Sequence, residues 1–225
     1  VSDLSLRLAE VDSRISARLA ANSRGPETLT RIVVSKFHSS QLVRDLHELG
    51  VRDFGENRDQ EAAAKALEVQ DLAINWHFIG QLQTNKVKSV LTYASVIHSL
   101  DRPSLLDALI KQTADRETPL GVFVQVNLTD DLGRGGVNPD ELLGFADSVA
   151  SAPGLTLLGL MAVASLDGEE ERDFGAVAAL SGKLRAQHPL ADRISAGMSN
   201  DFELAIDYGA THLRIGTAIT GNREY

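Results

Sequence analysis

The chain has 225 residues, 43% hydrophobic and 24% charged, with a formal net charge of −9. That length suits one closed barrel or two small domains, and the negative balance argues against general nucleic-acid binding, which relies on basic residues to neutralise phosphates. The absence of cysteine excludes disulfides and thiolate metal sites, and no apolar run is long and uncharged enough for a membrane span or signal peptide, so a cytoplasmic location is expected.

Leu4, Leu8, Val11, Ile15 and Leu19 recur at helical spacing and predict an amphipathic opening helix, which "ANSRGPETL" breaks. Strand and helix candidates then alternate. The strands are "RIVVSK", "VRDFGE", "WHFIG", "SVIHSL", "GVFVQVN", "LLGLMAV", "RISAGMS" and "HLRIGT". Most are short apolar runs rather than strict alternations, the pattern of strands covered on both faces. Among the helices, "SSQLVRDLHELG" has serines at its start and Gly50 at its end. "NPDELLGFADSVASAPG" opens on Asn138 as N-cap, with Pro139 at the first helical position and Glu141 at the capping-box position. "SNDFELAIDYG" is predicted to begin at Ser199 or Asn200 and to end at Gly209. Eight strand–helix units without a long interruption predict an α/β fold. Its expected form is a closed (β/α)8 TIM barrel, one domain over residues 1–225 with an extra N-terminal helix. An open doubly wound sheet is disfavoured, because no G-x-G-x-x-G follows an early strand.

In such a barrel, chemistry gathers at the C-terminal ends of the strands. Those ends carry Lys36, Glu56 with Asn57, Gln81, Ser99 with Asp101, Asn127, Met161, Ser199, and Arg214 with Gly216 and Thr217. Lys36 is either a rim solubiliser or a reactive amine. An amine held against apolar walls is more often neutral, and so nucleophilic toward carbonyls. Ser199, before a helix start, either caps that helix or offers a hydroxyl beside backbone donors suited to an anion. Gly216 lets backbone approach a ligand, and Thr217 adds an N–H and a hydroxyl. Loops after strands seven and eight often form a phosphate cradle in barrels. "GRGGVNP" lacks the Lys-Ser/Thr of a P-loop and reads as a mobile loop, with Arg134 reaching toward the pocket. His77 and His98 lie within strands and read as packed and hydrogen-bonded; no metal-ligand spacing occurs. "DGEEERD" reads as a solvated helix start, and no G-x-S-x-G supports a catalytic triad.

With Lys36, "FGEN", "WHFIGQLQTNK", "IHSLD", "QVN", "GLM", "GMSNDFELAIDYG" and "RIGTAITG" in this order, the sequence resembles the pyridoxal-phosphate homeostasis protein family. The resemblance implies a fold-type III barrel, related to the alanine racemase N-terminal domain, that binds pyridoxal 5′-phosphate (PLP). It implies that Lys36 holds PLP as a Schiff base and that Ser199, Gly216 and Thr217 bind the phosphate. Arg214 would lie near the pyridine nitrogen, where its charge weakens the ring as an electron sink. Asn57, Met198 and the "QLQTNK" segment would line the same mouth. The implied role is intracellular PLP homeostasis, buffering PLP or delivering it to apo PLP-dependent enzymes, without robust catalysis and as a monomer.

The sequence departs from the family pattern at Phe37, where Thr or Tyr is common, and at Arg58, where Tyr is common. "GRGG" replaces a Lys-x-Gly motif, and "AVAS" follows "GLM" without the usual proline. The alternative function is a fold-type III amino-acid racemase or decarboxylase; a Schiff-base aldolase is a third. A racemase needs an acid/base on the cofactor face opposite the lysine. In larger relatives a tyrosine from a C-terminal β-domain supplies it. Here Tyr93 and Tyr208 fall on predicted helices and Tyr225 is terminal. The chain is read as ending without that second domain.

Overall fold

The computed structural model describes residues 3–129, 132–165 and 168–221. Helix α1 (Asp3–Ala21) is followed by strand β1 (Thr30–Val34), α2 (Ser40–Glu48), β2 (Asp53–Glu56) and α3 (Asp59–Glu68). Next come β3 (Asn75–Phe78), the short α4 (Val87–Val90), β4 (Ala94–Leu100), α5 (Pro103–Thr113), β5 (Leu120–Gln125) and α6 (Leu142–Ala150). The chain continues through β6 (Leu155–Met161), α7 (Glu170–Gln187), β7 (Arg193–Ser195), α8 (Phe202–Asp207), β8 (His212–Ile215) and α9 (Thr217–Thr220). The eight strands are parallel to their neighbours, and β8 closes on β1 with Ile32 opposite Arg214. This is the predicted (β/α)8 barrel. All eight strand candidates contain a strand.

The predicted ends shift where turn chemistry overrides the apolar run. β1 stops at Val34, so Lys36 lies two residues beyond the strand, in a turn. β7 stops at Ser195, which leaves "GMS" in a loop. Ser39 occupies the N-cap position of α2 but makes no side-chain capping bond, while Gly50 does take the left-handed conformation at φ +93°. The Asn138 side chain accepts from the Asp140 N–H as foreseen, but it caps a 3-10 turn (Pro139–Glu141) that leads into α6. The Glu141 capping-box contact does not form.

Helix α1 buries Leu8, Val11, Ile15 and Leu19, the predicted stripe. It packs on α8 and α9, the two helices that follow the seventh and eighth strands. Arg14 pairs with Glu203 at 2.6 Å and lies over the Phe202 ring, and Arg7 donates to the Ile219 carbonyl at 2.8 Å. The extra helix therefore braces the elements that carry the anion-binding candidates.

The barrel interior is unusual. TIM-barrel interiors are mostly filled by branched aliphatic side chains. Here His98 of β4 bonds Ser195 of β7 at 2.8 Å, a contact that can only cross the inside of the barrel. Phe123 stacks on His98 with centroids 4.5 Å apart and meets His212 edge-on at 5.0 Å. Burial, reinforced by neighbouring His77, Arg214 and His212, holds His98 well below the ordinary imidazole range. Burial likewise lowers His212 to about 3.

In the unfolded chain both rings would titrate near about 6.5. Below that pH the unfolded state gains protons that the folded state refuses, so stability falls with acid, by up to about 1.4 kcal/mol per pH unit for each ring. Unfolding free energy from urea titration should therefore drop by about 1–3 kcal/mol between pH 6 and pH 5. Equal values at the two pH values would mean that the rings protonate in place.

Candidate functional site

The β1–α2 turn is fixed on both sides of Lys36. Before it, buried Ser35 donates from Oγ to Glu56 Oε1 at 2.7 Å, and its carbonyl accepts from Lys65 Nζ at 2.8 Å. Lys65 also pairs with Glu56 Oε1 at 2.5 Å, entirely inside the protein. After it, Phe37 takes φ +68°, a left-handed conformation that costs a non-glycine residue about 1–2 kcal/mol. The Phe37 N–H donates to Glu61 Oε2 at 3.3 Å, and the Arg58 guanidinium lies 5.1 Å over its ring. Lys36 itself is half-buried and has no hydrogen bond or ion pair among the described residues.

At the end of β2, Asn57 Oδ1 is buried without a hydrogen-bond partner. The glycine of "WHFIG" has a definite reason. A Cβ on Gly80 would stand 2.1 Å from the Asn57 carbonyl oxygen and 2.7 Å from Asn57 Cα. Gly80→Ala should therefore displace Asn57 and cost about 1–3 kcal/mol, measurable by denaturant titration. A stability within about 0.5 kcal/mol of the parent would show that this approach is not tight.

The loop after β7 turns at Gly197 (φ +93°), and the Met198 N–H donates to Asp201 Oδ1 at 2.5 Å. That turn delays α8, which starts at Phe202 with Asp201 in the N-cap position rather than at Ser199 or Asn200. Ser199 instead faces the loop after β8. Its Oγ accepts from the N–H groups of Gly216 at 3.3 Å and Ala218 at 3.2 Å. The backbone donors converging on Ser199 thus come from the Gly216–Ala218 segment, not from its own helix. Arg214 points inward from β8 and is 5% exposed. Its Nη1 donates to Ser195 Oγ at 2.7 Å and its Nη2 to the Ala162 carbonyl at 2.9 Å. Burial lowers it to about 10, so it remains a cation at neutral pH.

Lys36, Asn57, Met198, Ser199, Arg214, Gly216 and Thr217 all line one cavity of about 380 Å³ at the C-terminal rim. That volume lies in the range of cofactor and small-molecule pockets, roughly 300–1,000 Å³. One amine, one buried cation, the Ser199 side chain and the Gly216–Thr217 segment thus open onto a common space. Arg134 donates to the carbonyl of Ala164 behind this wall at 3.1 Å, but it lines a neighbouring cavity rather than this one. The glycine-rich segment around it forms a 3-10 turn (Leu132–Arg134) with Gly135 and Gly136 at positive φ, while residues 130–131 lie outside the described residues.

Other expectations need correction. Gln81, Gln83 and Lys86 of "QLQTNK" line a neighbouring cavity of about 350 Å³, which shares Asn57 with the first. Asn127 lines a third cavity, beside Gln125 and Arg134. "DGEEERD" is only partly solvated. Glu170 lines the main cavity, and buried Asp173 accepts from the Ser165 N–H at 2.6 Å and hydroxyl at 2.5 Å. Although burial pushes Asp173 up, these bonds and Arg172 hold it below the usual carboxylate value. Tyr93 lies in the turn after α4, bonded to Asp59, and Tyr208 is the residue after α8. Neither lines the main cavity, and Tyr225 lies outside the described residues. Lys65 was overlooked. It falls with Ala62 and Val69 on one helical stripe, and a lysine on an apolar stripe is the signal of a buried pair.

Comparison with known proteins places this geometry. Residues 32–224 match the family model of the alanine racemase N-terminal domain. The chain is 39% identical over its whole length to the pyridoxal phosphate homeostasis protein of Pseudomonas aeruginosa, covering 98% of that protein. It is 37% identical, again over its whole length, to the protein of the same name from Escherichia coli, of which it covers 99%. Among solved structures it resembles PipY of Synechococcus elongatus, solved with PLP bound, at a TM-score of 0.81 and 33% identity, covering 92% of this chain and all of that one. Alanine racemase from Corynebacterium glutamicum shares the fold at a TM-score of 0.67 and 16% identity; the match takes in 94% of this chain and 60% of the racemase.

Proposed function

The chain belongs to the pyridoxal phosphate homeostasis protein family, and from that premise we propose that it binds PLP reversibly in the 380 Å³ rim cavity. The observation that carries this reading is the convergence there of Lys36, Arg214, Ser199, Gly216 and Thr217. The residues fit the group. An aldehyde needs an amine, and Lys36 Nζ is uncommitted among the described residues. A phosphate needs donors, and two backbone N–H groups already converge with a serine hydroxyl. A polar ring edge needs partners, and Asn57 Oδ1 is buried and orphaned beside the cavity. A Cβ at Gly216 would make only ordinary contact with Val34 at 3.6 Å, so its backbone leaves room for a ligand in the cavity.

When bound, PLP supplies an aldehyde that combines reversibly with an amine, and a ring that can accept electrons. In this reading Lys36 would capture the aldehyde, while Ser199, Gly216 and Thr217 would hold the phosphate. Arg214 would hold the ring at its nitrogen edge, and Asn57 and Met198 would bound the mouth. A guanidinium there would disfavour protonation of that nitrogen and so discourage carbanion chemistry. No tyrosine lines the cavity among the described residues, which also favours a buffer or carrier over a racemase. Further parts of the proposal are transfer to apo PLP-dependent enzymes, a monomeric state and action in the cytoplasm. Among the described residues no helix is long and apolar enough to cross a membrane.

Titration of the purified chain with PLP, followed by visible absorbance, tests binding. The expected result is a saturable band with about one PLP per chain. Failure to saturate would sink the proposal. Loaded protein incubated with single amino-acid enantiomers should produce no more than stoichiometric isomerisation. Sustained turnover would favour the racemase.

A further inference from the structure

Five polar groups cross the barrel from the rim cavity to the opposite mouth. Arg214 Nη1 donates to Ser195 Oγ at 2.7 Å, and Ser195 Oγ meets His98 Nδ1 at 2.8 Å. His98 Nε2 meets His77 Nδ1 at 2.9 Å, and His77 Nε2 meets Asp53 Oδ1 at 3.1 Å. Asp53 opens β2, at the N-terminal face, and also accepts from Asn75 Nδ2 at 3.1 Å. With both imidazoles neutral, the two ends fix the direction of every link. An arginine can only donate, and a carboxylate can only accept. The Ser195 hydroxyl accepts from Arg214, and between neutral imidazoles its own proton goes to His98 Nδ1. His98 must then carry its proton on Nε2 and give it to His77 Nδ1. His77 must carry its proton on Nε2, toward Asp53. For neutral rings one polarity satisfies all four links, with both imidazoles as Nε2–H tautomers; a protonated His77 would instead reverse the links of His98, with Ser195 Oγ accepting twice.

We propose that His98 and His77 are positioning residues for Arg214: with Ser195 they form a one-way hydrogen-bond chain, anchored on Asp53 across the barrel, that fixes the guanidinium at the cofactor ring. The proposal rests on the PLP reading for the ligand but not for the chain itself. Links in such a series polarise one another, so a distant carboxylate strengthens the acceptor that Arg214 sees. The chain orients rather than conducts. Arg214, lowered to about 10, binds its proton far more tightly than Asp53, which His77 and Asn75 hold below the usual carboxylate value against the upward push of burial. Other charged or titratable groups near the chain are His212 beside His77 and His98, Asp201 near Arg214, and Arg193 near His212. Arg31 near Asp53 is itself paired to Asp12 of α1 at 3.0 Å. None of them breaks a link.

The test has a cofactor-free arm and a loaded arm, both on the full chain. Nitrogen-15 histidine spectra of the PLP-free protein at about pH 8 should show His77 and His98 as Nε2–H tautomers. An Nδ1–H tautomer at either ring would overturn the chain. In the loaded arm, His98→Leu keeps apolar contact with Phe123 but cuts the series. It should raise the PLP dissociation constant about tenfold and shift the pH dependence of the bound-PLP absorbance. A folded His98→Leu protein with parental affinity and parental pH profile would overturn the positioning role. If the variant does not fold, the histidine spectra still decide. If the parent chain binds no PLP, the functional reading fails while the tautomers still test the chain.

Discussion

Replacing Lys65 by alanine should destabilise the protein by about 3–5 kcal/mol, the range for stripping one partner from a buried ion pair. Glu56 is completely buried, and its Oε2 already lacks a partner. Without Lys65, Oε1 would keep only the Ser35 hydroxyl, and the Ser35 carbonyl would lose its donor. A lone carboxylate in that setting faces a desolvation penalty that one hydroxyl does not offset. Because Ser35 precedes Lys36, the damage should reach function too, with weaker PLP retention in whatever fraction still folds. The paired change Glu56→Met with Lys65→Met should recover part of the stability, since it removes both charges and leaves only the neutral Ser35 hydroxyl and carbonyl without partners. Denaturant titration of the two proteins checks this. A loss below about 1 kcal/mol for Lys65→Ala would show that the pair is not sealed from water.

Lys36→Ala should have the largest functional effect. The absorbance band of amine-bound PLP should vanish, and the dissociation constant should rise about a hundredfold or more, equivalent to about 2.8 kcal/mol. Residual affinity should remain, because in the proposed site Arg214, Ser199, Gly216 and Thr217 would still meet the ring and the phosphate. Lys36→Arg should not rescue capture, since a guanidinium stays protonated and is a poor nucleophile. Fold stability should change little, because Lys36 makes no hydrogen bond or ion pair among the described residues. Parental PLP retention by Lys36→Ala would move the capturing amine elsewhere.

Much of the barrel was legible because parallel strands buried on both faces leave continuous apolar runs. Eight such runs with polar residues after them pointed to one rim, and Lys36, Arg214 and Thr217 do meet there. The start of α8 was misread for a local reason. Serine and asparagine before a helical pattern resemble a cap, but a turn closed by Asp201 intervenes. "DGEEERD" hid an inward Asp173 inside a charge run, where composition cannot tell which carboxylate turns in. Lys65 could have been found from its place on an apolar stripe. The histidine chain could not, because His98 and its Ser195 partner are 97 positions apart and meet only once the barrel closes.

The central claim is that the Lys36 amine captures PLP while the eighth-strand loop and buried Arg214 hold the cofactor's other ends. Borohydride reduction of the loaded full-length chain, followed by peptide mapping, tests it most directly. The account predicts a single phosphopyridoxyl adduct on Lys36. An adduct on Lys65, Lys86 or any other lysine, with Lys36 unmodified, would contradict it.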